Sequence, residues 1–151
     1  MSSDEVAEGQ EYYEIEINGR LVKKPIKHLM NGNQVKIKKE VLTFAPWSNG
    51  ENNTCFDKAM TTISRLKVDD DLLRTKFNNI LGEWQLSYSL SHGSGLKGMK
   101  NVDMIRNELV KTSNEDYTVF DINKMKTAFD EYVLKQRGDV KKKVGTQSTG
   151  A

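Results

Sequence analysis

The chain has 151 residues, a formal net charge of +2, and 36% hydrophobic against 29% charged residues. That is length enough for one domain around a single core, but polar enough to predict ends that do not pack. One cysteine and two histidines exclude a disulfide framework and a structural zinc site, and no apolar run approaches the roughly 18 residues that span a bilayer.

The small net charge hides an asymmetry. Asp4, Glu5, Glu8, Glu11, Glu14 and Glu16 occupy residues 1–17 without a lysine or arginine. Arg20, Lys23, Lys24, Lys27, Lys36, Lys38 and Lys39 follow against Glu40 alone, and Lys135, Arg137, Lys141, Lys142 and Lys143 form a second basic cluster. The opening residues have neither the basic nor the apolar region of a leader, which predicts no secretory signal. With the lone thiol, this predicts an intracellular setting: cytoplasm, nucleus, or a virion assembled there.

In chain order, residues 1–11 read as a mobile acidic arm, 12–137 as a single globular domain and 138–151 as a mobile basic tail. "YYEIEINGRLVKKPI" predicts two strands about Asn18-Gly19, a pair suited to the positive φ angles of a type I′ turn. Tyr13, Ile15 and Ile17 alternate with Glu14 and Glu16, and Pro25 marks a strand end. A second turn at Asn31-Gly32-Asn33 leads into Val35 and Ile37, alternating with Lys36 and Lys38. An antiparallel meander over about 12–44 is expected, with cross-strand Glu–Lys pairs setting its register.

After "APWSNGENN" the apolar period changes from two to about 3.6. Phe56, Ala59, Met60, Ile63 and Leu66 predict a helix over 55–66 with Thr54 as N-cap. Asp69 should cap a second helix whose core stripe is Leu73, Phe77, Ile80 and Leu81. Trp84, Leu86, Tyr88 and Leu90 then alternate with polar residues, which predicts a strand over 84–90; continuation of the helix past Gly82 is the alternative. "HGSGLKGMKN" predicts a loop, and Asn101 caps a short helix bearing Val102, Ile105 and Leu109. The last helix carries Ile122, Met125, Phe129, Tyr132 and Val133 behind an Asp121 cap and ends at Gly138. The predicted class is α+β, a meander followed by three or four helices; a mainly helical body with a projecting hairpin is the alternative.

Three constellations carry possible chemistry. Cys55, at an expected helix start, occupies the place where a helix dipole lowers a thiol pKa. The string Asn53-Thr54-Cys55-Phe56, with Ala59 beyond it, resembles the cysteine box of ubiquitin-specific proteases and the cysteine-bearing turn of viral leader proteases. That resemblance implies a papain-like thiolate; of the two histidines His92 alone follows Cys55, the papain-like order for a base, and Asn101 or Asp103 is nominated as orienting group by order alone. Cysteine catalysis needs such a set, and a small buried core thiol is the competing reading of Cys55. The glycines of the 91–100 loop, with Lys97 and Lys100, suggest an anion contact, although the spacing matches no phosphate-binding motif.

Finally, Lys23, Lys24, Lys27, Lys36, Lys38, Lys39, Lys97, Lys100, Lys141, Lys142 and Lys143 are candidates for nucleic-acid phosphates. Tyr12, Tyr13, Trp47, Trp84 and Tyr88 are candidates for base stacking. The functional expectation is a non-catalytic, self-assembling or nucleic-acid-packaging structural protein of capsid or nucleocapsid type. Its partners would be its own copies and single-stranded nucleic acid, with no cofactor, metal, membrane or small-molecule substrate. An interaction or adaptor domain without nucleic acid is the alternative, and a small cysteine protease a minor one.

Overall fold

The computed structural model describes residues 6–67, 69–111 and 115–143. Within them an antiparallel strand meander precedes four helices, so the chain has the expected α+β architecture. Strands β1 (Glu11–Ile17) and β2 (Arg20–Pro25) form the first hairpin, with Ile17 opposite Arg20. Asn18 and Gly19 take φ angles of 51° and 80°, the two positive values that a type I′ turn requires. Strands β3 (Gln34–Ile37) and β4 (Glu40–Thr43) form a separate two-stranded sheet. Asn31 and Gly32 make the turn before it, where the Asn33 amide donates to the Met30 carbonyl.

The first helix, α1 (Asn49–Ser64), begins well before the expected Thr54 cap. Ser48 is the N-cap: its hydroxyl accepts from the Glu51 amide at 3.0 Å, and the Glu51 carboxylate accepts from the Ser48 amide at 2.8 Å. This reciprocal capping box satisfies two otherwise orphaned donors and outcompetes Thr54, whose hydroxyl donates instead to the Gly50 carbonyl inside the helix. The last helix is corrected in the same way. Its range, α4 (Val119–Gln136), follows a Thr118 cap, and Asp121 is the box partner three residues on rather than the cap itself.

Residues 84–90 are helical, against the predicted strand: α2 (Asp70–His92) runs through Gly82 without a break. The alternation has a different cause. Trp84 and Tyr88, one turn apart, join the cluster of Cys55, Ala59, Ile63 and Ile80 between α1 and α2. Leu86 and Leu90, also one turn apart, join the main core of Val35, Ile37, Leu42, Phe44, Met125, Phe129 and Tyr132. A helix buried on two sides presents apolar residues at every second position here, and so imitates a strand. Buried Ser89 between these faces binds Ala45, its hydroxyl donating to the Ala45 carbonyl at 2.8 Å.

The short helix α3 (Val102–Val110) has the expected Asn101 cap, and it buries Ile105 and Leu109 in the main core. Each large core side chain withdrawn from water contributes about 1.5–3 kcal/mol. One buried charge ties this core to the sheets. Glu131 of α4 is 3% exposed, and its carboxylate accepts the backbone amides of Lys27, His28 and Leu29 at 2.8, 3.0 and 2.9 Å. It therefore fixes the connection between the two hairpins onto the last helix.

Helix α4 ends as expected at Gly138, whose φ is +79°. The Gly138 amide donates to Lys135 and the Asp139 amide to Leu134, the paired bonds of a Schellman motif. The described parts of the expected arms meet each other. Strand β5 (Lys141–Lys142) pairs antiparallel with β1, placing Glu11 opposite Lys142 and Tyr12 opposite Lys141. The Gly9 amide donates to the Lys143 carbonyl, the Lys143 amide to Gln10, and Val6 is buried. Residues 1–5 and 144–151 lie outside the described residues.

Candidate functional site

The thiol comes first, because its chemistry is the most exacting. The early start of α1 puts Cys55 inside the helix, away from the free amides at its end. The side chain is fully buried, and this burial, with the Glu51 carboxylate nearby, pushes its pKa up to about 11. A nucleophilic cysteine needs the opposite shift. His92 is also committed elsewhere: its Nε2 lies 2.8 and 2.7 Å from the two carboxylate oxygens of Glu51. Asp103 pairs with Lys58 at 3.7 Å, and Asn101 caps α3. Each member of the protease set is thus engaged elsewhere: Cys55 in the packing between α1 and α2, His92 with the Glu51 carboxylate, Asp103 with Lys58 and Asn101 at the cap of α3.

The glycine-rich loop is likewise structural. A Cβ on Gly93 would stand 1.9 Å from the Thr43 carbonyl oxygen, and one on Gly95 would stand 2.3 Å from that of Met99. Only glycine permits these close approaches. The loop amides are spent internally: Gly95 donates to Leu90, Ser94 to Thr43, Leu96 and Met99 to each other, and Lys97 to the Glu40 carboxylate at 2.8 Å. No amide cradle is left for a phosphate at those positions.

Most of the nominated lysines are engaged within the chain. Lys23 stands over the Tyr12 ring and lies opposite Glu14, while Lys141 pairs with Glu14 at 2.6 Å. Lys38, in the left-handed region at φ 56°, reaches Asp121 at 3.6 Å and the Asp116 carbonyl. Lys97 binds Glu108 at 3.0 Å together with Asp116, which raises its own pKa and lowers those of both acids. Lys100 donates to the Gly93 carbonyl and Lys143 to that of Val6. Lys24 and Lys27 also have partners. Lys36, Lys39 and Lys142 remain exposed on different strands and turns. The stacking candidates are reduced too. Tyr12 and Trp84 are buried, and Trp84 lies beneath Lys58 at 4.4 Å and Arg106 at 4.9 Å.

One concave region was not foreseen from the sequence. Two adjoining cavities of about 230 and 420 Å³ share Trp47, Val133 and Arg137, where the start of α1 approaches the end of α4. Pro46 and Tyr132 complete the apolar end, and Asn49, Asn52 and Gln85 line the polar end. Trp47 is held in place by its indole N–H, which donates to Asn52 Oδ1 at 2.9 Å, and by the Phe129 ring at 5.6 Å. The only signal in the sequence was the Pro46-Trp47 pair in a turn.

Among the described residues, no group of three or more His, Cys, Asp or Glu side chains could hold a metal ion, and no helix is long and apolar enough to cross a membrane. The chain matches no protein-family model, and neither the curated proteins nor the solved structures contain a match to it.

Proposed function

We propose that the protein is a non-catalytic structural subunit that assembles with copies of itself through the β1–β2 hairpin. The observation that carries this reading is the state of the hairpin beyond its base. Tyr12 and Pro25 are buried, but Ile15, Ile17 and Leu21 are 36%, 42% and 71% exposed. A two-stranded hairpin with its apolar side chains in water is marginal by itself and gains most from a further strand.

Both edges are available. No strand lies against the outer edge of β2 among the described residues, and β5 covers β1 only at Glu11 and Tyr12. β1, whose edge is uncovered beyond Tyr12, carries Glu14 and Glu16, whereas β2 carries Arg20 and Lys23. Like edges repel, while β1 of one copy beside β2 of the next places acid against base and aligns the Ile15 and Val22 face. Such a contact is heterologous, so it closes into a ring or propagates.

Nucleic-acid packaging is the second reading, favoured by the exposed Lys36, Lys39 and Lys142, and weakened by the internal pairing of the other lysines. Multi-angle light scattering in low and high salt, with and without an oligo-dT or oligo-U strand, separates the two. Self-assembly predicts oligomers that need no nucleic acid and are lost in Ile15→Lys/Ile17→Lys. A wild-type monomer at all concentrations, binding neither strand, overturns both readings; oligomers seen only with a strand and dissolved by salt favour packaging.

A further inference from the structure

We infer that the groove between the start of α1 and the end of α4 is a docking site for a short extended peptide bearing a bulky apolar side chain beside a carboxylate. This inference is independent of the hairpin reading. It starts from the orientation of the amides. The indole of Trp47 can only donate, so the Asn52 atom facing it must be the oxygen. That oxygen also accepts from Gln85 Nε2 at 3.0 Å. Asn52 Nδ2 is thereby left as a donor and Gln85 Oε1 as an acceptor, without partners among the described residues and on the wall of the groove.

A donor and an acceptor on two residues that line the same groove match the N–H and C=O of an extended backbone, which offers one of each per residue. Next to them the pocket of Pro46, Trp47, Tyr132 and Val133 accepts an apolar side chain. Its aromatic wall is already fixed, with Trp47 against Phe129 and Tyr132 against Phe44 at 5.5 Å, so little ordering cost falls on binding. The charge at the junction selects the rest of the ligand. Arg137 lines both cavities and, unlike Arg106 with Glu83, has no ion-pair partner among the described residues. A guanidinium in that position recognises a carboxylate through two parallel hydrogen bonds. Nothing else in the lining is cationic, so a nucleic-acid backbone, which needs a track of positive groups, is the poorer fit.

The test uses the full chain with Trp84→Phe, so that Trp47 is the only tryptophan, and a set of hexapeptides containing Phe-Glu, Leu-Asp, Phe-Gln or Phe-Lys. Acidic members should change Trp47 emission saturably, and Phe-Gln and Phe-Lys members should bind at least about tenfold more weakly, the loss expected for one charge-assisted pair. Arg137→Glu, an exposed change that should leave the fold intact, should abolish the preference for acid and favour Phe-Lys. Should Trp84→Phe fail to fold, the same titration read by fluorescein anisotropy on the wild-type chain replaces it. Equal affinity for acidic, amide and basic peptides, or an unchanged preference in Arg137→Glu, overturns the assignment. So does tighter binding of an oligo-dT strand than of any peptide in the set.

Discussion

At the scale of single residues, Cys55 shows how a local signal misleads when its element is misplaced. The thiol was legible as a residue near a helix start, and the resemblance to a protease box followed from that position. The capping box at Ser48 and Glu51 moves the helix start upstream, and the thiol becomes a core atom. Iodoacetamide at pH 7.5 should therefore modify Cys55 in the native protein far more slowly than in urea, with the native rate tracking the opening of the helix pair. Modification at the rate of a free thiol would contradict the burial. Glu131 was not legible at all, because its ligands are amides about a hundred positions away in sequence. Glu131→Ala leaves three part-buried backbone donors without their acceptor and should cost about 2 kcal/mol, read from the urea midpoint at constant slope. Glu131→Gln, which retains one acceptor oxygen, should cost less.

At the scale of elements, signals contained within one turn were readable and signals that depend on neighbours were not. Asn18-Gly19 and Gly138 act through their own backbone geometry and Asn101 through a side-chain bond three residues on, and each ends or begins an element as expected. The second helix needed knowledge of what lies on either side of it: Trp84 and Tyr88 face α1, while Leu86 and Leu90 face β3, β4 and α4. The Ser48-x-x-Glu51 box was present in the sequence but lost to the nearer Thr54. Ser48→Ala should lower stability by about 1 kcal/mol, whereas Thr54→Ala should change it little; thermal melts of the two variants check the assignment. An equal loss in both would place the cap wrongly.

For the molecule as a whole, several helix caps and cross-loop contacts run through ionised carboxylates. Glu51 is held below its ordinary value of 4.5 chiefly by the Ser48 amide, and Glu108 chiefly by Lys97. Asp116 is held below 3.8 chiefly by Lys97, and Asp121 by the Thr118 amide. A depressed folded-state pKa gives stability that is complete above the ordinary value and is lost as pH falls through the lowered one. The melting temperature should thus stay level from pH 7 to about 5 and drop below about 4.5. No fall by pH 3 would mean that these pairs contribute nothing to folding. That most of the nominated lysines have partners within the chain is evident only in three dimensions, because a charge run in the sequence does not show what its members face.

The pairing of β1 with β5 has a mechanical consequence. Glu11 and Lys142, near the two ends of the described chain, are direct partners, so a force applied to both ends acts across the ladder and opens it one bond at a time. Pulled in this way the protein should yield first at low tension, releasing residues 139–143 while the helices and the β3–β4 sheet stay folded. Attachment through the Asn18-Gly19 turn and the last helix would load the Glu131 clamp instead, and the molecule should resist more strongly along that axis.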